Sequence, residues 1–182
     1  MDGAHPLSTP MVVRSLDVNK DLFRPQEENE ELLGPEVPYL SAIGALMYLA
    51  NTTRPDITFL VNVLARYSSP PTMRHWNGIK HILRYLKGTI DMGLFYANNC
   101  SPDLVGYVDA GYLSDPHKAR SQICYVFTYG GTAISWRSTK QSIVATSSNH
   151  AEIIAIREAS QECVWLRSII YLIRDKCGLR CD

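Results

Sequence analysis

The sequence predicts an α+β chain in which an N-terminal helical subdomain precedes a three-stranded antiparallel meander and one long helix. Three observations carry that expectation. Between residues 38 and 88, apolar side chains recur at spacings of three and four, the period of a helix. Between residues 104 and 137 they alternate, with Gly130-Gly131 as a turn. From Ser147 to Gly178 the helical period returns behind two hydroxyl residues suited to an N-cap.

A chain of 182 residues, 46% hydrophobic and 20% charged, is long enough for one full core, or for one and a half domains. Lys+Arg and Asp+Glu are both 18, so no global field recruits nucleic acid, and any basic surface must be local. The five cysteines, Cys100, Cys124, Cys163, Cys177 and Cys181, show no paired metal spacing and are expected as free or buried thiols in a reducing compartment. Residues 1–10 lack the basic start and apolar run of a secretory leader, and no stretch reaches the length of a membrane span.

Residues 1–35, with their prolines and the patch Glu27-Glu28-Asn29-Glu30-Glu31, read as an extended or disordered arm. Residues 36–90 form the helical subdomain. In its first helix Ile43, Leu46, Met47 and Ala50 share a face, and Gly44 is expected to permit close helix approach. The second helix opens at Pro55 and carries Ile57, Leu60, Val61 and Leu64 inward. The third runs from Thr72 to Gly88 with Trp76, Ile79, Ile82, Leu83 and Leu86 as its buried stripe. Its opposite faces carry Arg74, Lys80, Arg84 and Lys87, which can track a phosphate backbone or form an ordinary solvated face.

Residues 93–182 form the last segment. A short strand is expected at Gly93-Leu94-Phe95-Tyr96. Then come strands from Leu104 to about Tyr112, from Ser121 to Tyr129 and from Ala133 to Arg137. The final helix places Ala151, Ile154, Ala155, Ala159, Cys163 and Leu166 on one side and is expected to bend or split near Ser160-Gln161.

Asp109 in the first strand and Glu152 at the start of the last helix are candidate metal ligands. Hydrolysis of a phosphodiester by two Mg2+ ions needs carboxylates that bridge and flank ions about 4 Å apart, and Mg2+ favours hard oxygen donors. Simpler readings stand beside that one. Glu152, three residues after Asn149, can close a capping box, and Asp109 before Ala110-Gly111 can be an end-of-strand turn residue.

A family resemblance bears on the choice. Val-Pro-Tyr-Leu-Ser-Ala-Ile-Gly-Ala-Leu-Met-Tyr-Leu-Ala, Thr-Arg-Pro-Asp-Ile, His-Trp-Asn-Gly-Ile-Lys-His-Ile-Leu-Arg-Tyr-Leu-Lys-Gly-Thr, Ala-Ile-Ser-Trp-Arg-Ser-Thr-Lys-Gln and Trp-Leu-Arg occur in that order between residues 37 and 167. Residues 36–182 resemble the end of the reverse transcriptase and the start of the ribonuclease H domain in copia-type retrotransposon Pol polyproteins. The resemblance implies a reverse-transcriptase connection-like helical subdomain followed by an incomplete RNase H-like fold. It places the family's first catalytic Asp at Asp109 and its catalytic Glu at Glu152, with Mg2+ as cofactor and an RNA–DNA hybrid as substrate. Lys80, Arg84, Lys87 and Lys140 would then hold backbone phosphates. A further strand that carries the family's third acid is not matched before Asp182, so the acids are expected to be vestigial and strand one to be an exposed edge, open to self-association.

Very similar sequences carry the name of an oomycete secreted effector of the Arg-x-Leu-Arg type. That resemblance implies a non-catalytic protein without cofactor that acts inside plant host cells on a host protein and suppresses host cell death. Arg14-Ser15-Leu16-Asp17, together with the acidic patch, would be the degenerate host-entry motif, its last Arg replaced by Asp.

Overall fold

The computed structural model describes residues 3–11, 17–18, 20–28, 30–98 and 103–178. Its elements are α1 (Tyr39–Thr52), a 3₁₀ turn (Pro55–Ile57), α2 (Thr58–Ala65), α3 (Met73–Gly88), β1 (Leu104–Asp115), β2 (Arg120–Tyr129), β3 (Thr132–Lys140) and α4 (Ser148–Lys176). The chain divides into two units, one of Met1–Leu94 with Ser114–Ala119, the other of Phe95–Leu113 with Arg120–Asp182.

In the first unit, α1 buries Tyr39, Ile43, Leu46 and Ala50, a stripe with spacings of four, three and four. Met47, expected on that face, is exposed, because Tyr39 completes the stripe instead and its hydroxyl donates to the Leu64 carbonyl at 2.9 Å. Pro55 opens a 3₁₀ turn before α2, which contributes Leu60, Val61, Val63 and Leu64. Each fully buried aliphatic side chain here stabilises by about 1.5–3 kcal/mol.

The close approach expected at Gly44 is absent, since a Cβ there would meet nothing within 4 Å. It occurs at Gly78 in α3, where a Cβ would lie 2.9 Å from both Leu64 and Phe23.

Helix α3 buries His75, Gly78, Ile79, Ile82 and Tyr85, with Trp76, Leu83 and Leu86 packed at the margin. Its N-cap is a capping box in which histidine takes the place of the usual acid. The Thr72 N–H donates to Nδ1 of His75 at 3.0 Å. Nδ1 is therefore the bare nitrogen, and Nε2 carries the proton to the Arg24 carbonyl 3.1 Å away.

The arm of residues 1–35 holds no helix or strand among its described residues, yet it is anchored. Phe23 is buried in the α-helical core, and Leu7 and Met11 pack against it. Leu32 bridges to Thr72. Arg74 clamps Glu30 with both guanidinium edges, one of them at 2.6 Å, and that hydrogen bond pulls the Glu30 carboxyl down to about 2.

In the second unit the sheet order is β1-β2-β3, so β1 and β3 are its edges. β2 and β3 run antiparallel from Gln122↔Lys140 to Tyr129↔Thr132, with a register shift between Phe127 and Thr128. The two-residue turn between them uses Gly130 and Gly131 at φ 60 and 81, the left-handed pair that suits a hairpin twist. β1 and β3 each extend beyond the expected limits, to Asp115 and Lys140. The strand expected at 93–96 does not form. Those residues are irregular and are held by side chains, Tyr96 donating to the Ala133 carbonyl at 3.0 Å and Thr132 to that of Phe95.

α4 packs on this sheet through Ala151, Ala155, Ala159 and Leu166 against Ala110, Ile123, Tyr125 and Phe127. Gly106 makes room for that core, because a Cβ there would fall 2.4 Å from the Phe127 ring. α4 does not split near Ser160-Gln161 and is one uninterrupted helix of 29 residues. Ser160 returns its hydroxyl to the Ile156 carbonyl at 2.7 Å, and Ser168 does the same to Val164, so neither competes for backbone partners outside the helix.

Candidate functional site

Asp109 is the sixth of twelve residues in β1, far from either end of the strand. The end-of-strand turn reading therefore fails. Side chains alternate along a strand, and Gly106 and Ala110 face the core beneath α4. Asp109 thus belongs to the opposite face, with Cys124. Burial pushes the Cys124 thiol up, the Ser138 hydroxyl 3.3 Å away opposes that, and the nearby Asp109 charge adds to it. Asp109 itself is exposed.

Glu152 sits in the second turn of α4, not the first. The N-cap is Ser147, whose hydroxyl accepts from the His150 N–H at 3.1 Å, so the third helical residue is His150. Nδ1 of His150 in turn accepts from the Thr146 N–H at 3.3 Å. The His150 ring thus ties down the residue before the cap, and Glu152, two residues further on, takes no part in the cap. Glu152 is half-buried beside the packed alanine row. The local structural readings of both acids are removed.

A two-ion centre asks for more than this. Among the described residues no group of three or more His, Cys, Asp or Glu side chains stands close enough to hold a metal. Asp109 lies on the sheet face away from α4 and Glu152 on α4 itself.

The four basic residues fall on two separate units. Lys80, Arg84 and Lys87 lie on α3, Lys140 at the end of β3. Arg84 donates to the His5 carbonyl at 2.8 Å and Lys87 to that of Ala4 at 3.3 Å, while the Leu7 N–H returns a bond to the Arg84 carbonyl. Two of these three α3 residues thus hold the N-terminal segment. Lys80 is exposed.

Of the host-entry motif, Arg14, Ser15 and Leu16 lie outside the described residues. The Asp17 carbonyl accepts from the Lys20 and Asp21 N–H groups at 3.0 and 2.9 Å, and its carboxylate faces Lys20 at 3.8 Å. Cys124, Cys163 and Cys177 are free thiols, and Cys100 and Cys181 lie outside the described residues. Among the described residues no helix is long and apolar enough to cross a membrane.

Reading the sequence missed two features around Asp109. The Cys124–Ser138 pair has no signal in either strand alone, since only the cross-strand register joins them. Gly106 had one, a glycine in an otherwise well-formed strand.

Comparison with known proteins adds relatives. Over 130 residues the chain is 47% identical to secreted RxLR effector protein 161 of Plasmopara viticola, covering 71% of this chain and 92% of that one. Over 170 residues it is 40% identical to the retrovirus-related Pol polyprotein from transposon TNT 1-94 of Nicotiana tabacum, and 36% to that from transposon RE2 of Arabidopsis thaliana. These two matches take in 93% and 92% of the chain but only 13% and 11% of the polyproteins. No family model and no solved structure matches.

Proposed function

Because the chain belongs to the family of retrovirus-related Pol sequences of copia-type transposons, we propose that it is a retroelement-derived segment working as a non-catalytic effector, secreted and then active in plant host cells. One observation carries the effector reading: the 47% identity spans 92% of a protein named as a secreted RxLR effector. A match over nearly that whole length differs in kind from one over an eighth of a polyprotein. On this reading the chain acts without cofactor on a host protein and suppresses host cell death. The donor geometry supports the non-catalytic half, because two carboxylates on different elements leave a divalent ion mostly hydrated and weakly held.

Transient expression in leaf tissue beside a cell-death elicitor tests it. Reduced necrosis is expected, and the Asp109→Asn variant should suppress equally well. Unchanged necrosis would overturn the reading.

A nuclease reading has one observation in its favour: neither Asp109 nor Glu152 has a capping or turn role to explain its presence. It requires more acids than the described residues bring together. Cleavage of a labelled RNA–DNA hybrid in Mg2+ or Mn2+ by the unaltered chain, lost in Asp109→Asn, would establish it. No cleavage by either is expected.

A further inference from the structure

We propose that a cavity between α3 and the N-terminal arm binds a small uncharged aromatic alcohol, a phenol of one or two rings. The cavity lies within the first unit and has a volume of about 240 Å³. One strip of α3 lines it, Arg74, Asn77, Gly78 and His81, whose spacing stacks them on one side of the helix. Leu60 of α2 and Met11, Leu22 and Phe23 of the arm complete the lining. Gly78 lets the Phe23 ring settle on the helix, since a Cβ there would fall 2.9 Å from it. Benzene fills an apolar cavity of about 150 Å³. This larger one therefore suits a substituted ring or two fused rings.

The polar members of the lining select the ligand. Arg74 offers it no unpaired charge, because its guanidinium is clamped on Glu30 and also donates to the Leu22 and Pro25 carbonyls. A carboxylate or phosphate could gain Arg74 only by displacing Glu30. Nε2 of His81 donates to the Thr9 carbonyl at 3.1 Å, which leaves Nδ1 of the neutral ring as an acceptor. The Asn77 amide is exposed, has no hydrogen-bond partner among the described residues, and can both donate and accept. Asn77 and His81 stand one helical turn apart, so a single hydroxyl can donate to one and accept from the other. The rest of the lining is apolar, and it holds the Phe23 ring and the Met11 thioether, both of which favour an aromatic neighbour.

Equilibrium dialysis of 2-naphthol against the full chain is the test. Saturable binding with a Kd on the order of 100 μM is expected for a ligand of this size. Naphthalene, which keeps the rings and lacks the hydroxyl, should bind about tenfold more weakly, and 2-naphthoate should not compete. Asn77→Ala should weaken 2-naphthol about fivefold and leave naphthalene unchanged. Asn77 is exposed and unpartnered, so far-ultraviolet circular dichroism should be the same in that variant. The absence of saturable binding at millimolar 2-naphthol would overturn the proposal. So would 2-naphthoate binding as tightly as 2-naphthol, or an affinity for 2-naphthol indifferent to Asn77→Ala.

Discussion

His75 sits wholly buried in the first unit, its ring stacked on that of Tyr67 at 4.2 Å, with both nitrogens in hydrogen bonds that need the neutral tautomer. Burial holds its pKa below the ordinary value, against the pull of the Arg24 carbonyl. Below about pH 6.5 the unfolded chain therefore binds a proton that the folded chain refuses, and stability falls as pH falls through that window. Unfolding by urea at pH 7.5 and 5.5 should show this loss, and His75→Gln, though less stable at pH 7.5, should lose less between the two. Arg54 is a second residue of this kind. It reaches Asp56 at 2.8 Å and the Thr89 hydroxyl at 2.7 Å, and Tyr85 donates to the same carboxylate at 2.7 Å. Burial works against the Asp56 charge, yet the hydrogen bonds from Arg54 and Tyr85 hold its carboxyl below the usual range. Arg54→Ala leaves that carboxylate half-buried without its cation and should cost about 3 kcal/mol in chemical denaturation. The Thr-Arg-Pro-Asp-Ile motif was plain in the sequence, but its partners at Tyr85 and Thr89 lie some thirty residues on, and nothing local joins them.

At the level of elements, periodicity located the four α-helices and three strands of the described residues, because each buries one face and so must repeat at its own pitch. Errors arose where an element's fate depends on a neighbour. Gly44 lies in a helix but faces open space, while Gly78 touches Leu64 and Phe23. Both are glycines within apolar helical patterns, so only packing tells them apart. α4 was expected to bend or split near Ser160-Gln161 because so long a pattern without internal caps often does, yet it runs unbroken for 29 residues, and the Ser160 hydroxyl folds back on its own helix. In β1, Gly106 faces the Phe127 ring, which is 3% exposed and has little room to yield. Gly106→Ala should destabilise the second unit by about 1–3 kcal/mol, read as a lowered midpoint in thermal unfolding followed by tyrosine and tryptophan fluorescence. The same change at Gly44 should be neutral or slightly stabilising, through helix propensity alone.

For the whole molecule, charge is the quantity that composition settles. With 18 basic and 18 acidic residues, the net charge passes through zero near pH 7, and repulsion between copies is weakest there. Solubility in a precipitant titration should therefore be lowest near pH 7 and rise on both sides. Binding to an RNA–DNA hybrid should be undetectable at physiological salt, since Arg84 and Lys87 spend donors on the N-terminal segment. The amino-acid sequence by itself determined the element order, the α+β class, the zero net charge and membership in the copia-type Pol family. Each is written in local period, in composition or in residue order. Only the tertiary structure decided what the two acids are near, since cross-strand register and the choice of Ser147 as N-cap fix which face each side chain leaves. It likewise decided that the acidic patch is pinned by Arg74 and that the outer face of α4 is bare. Partners distant in sequence meet only when the chain has folded, and exposure is a property of everything that fails to cover a residue.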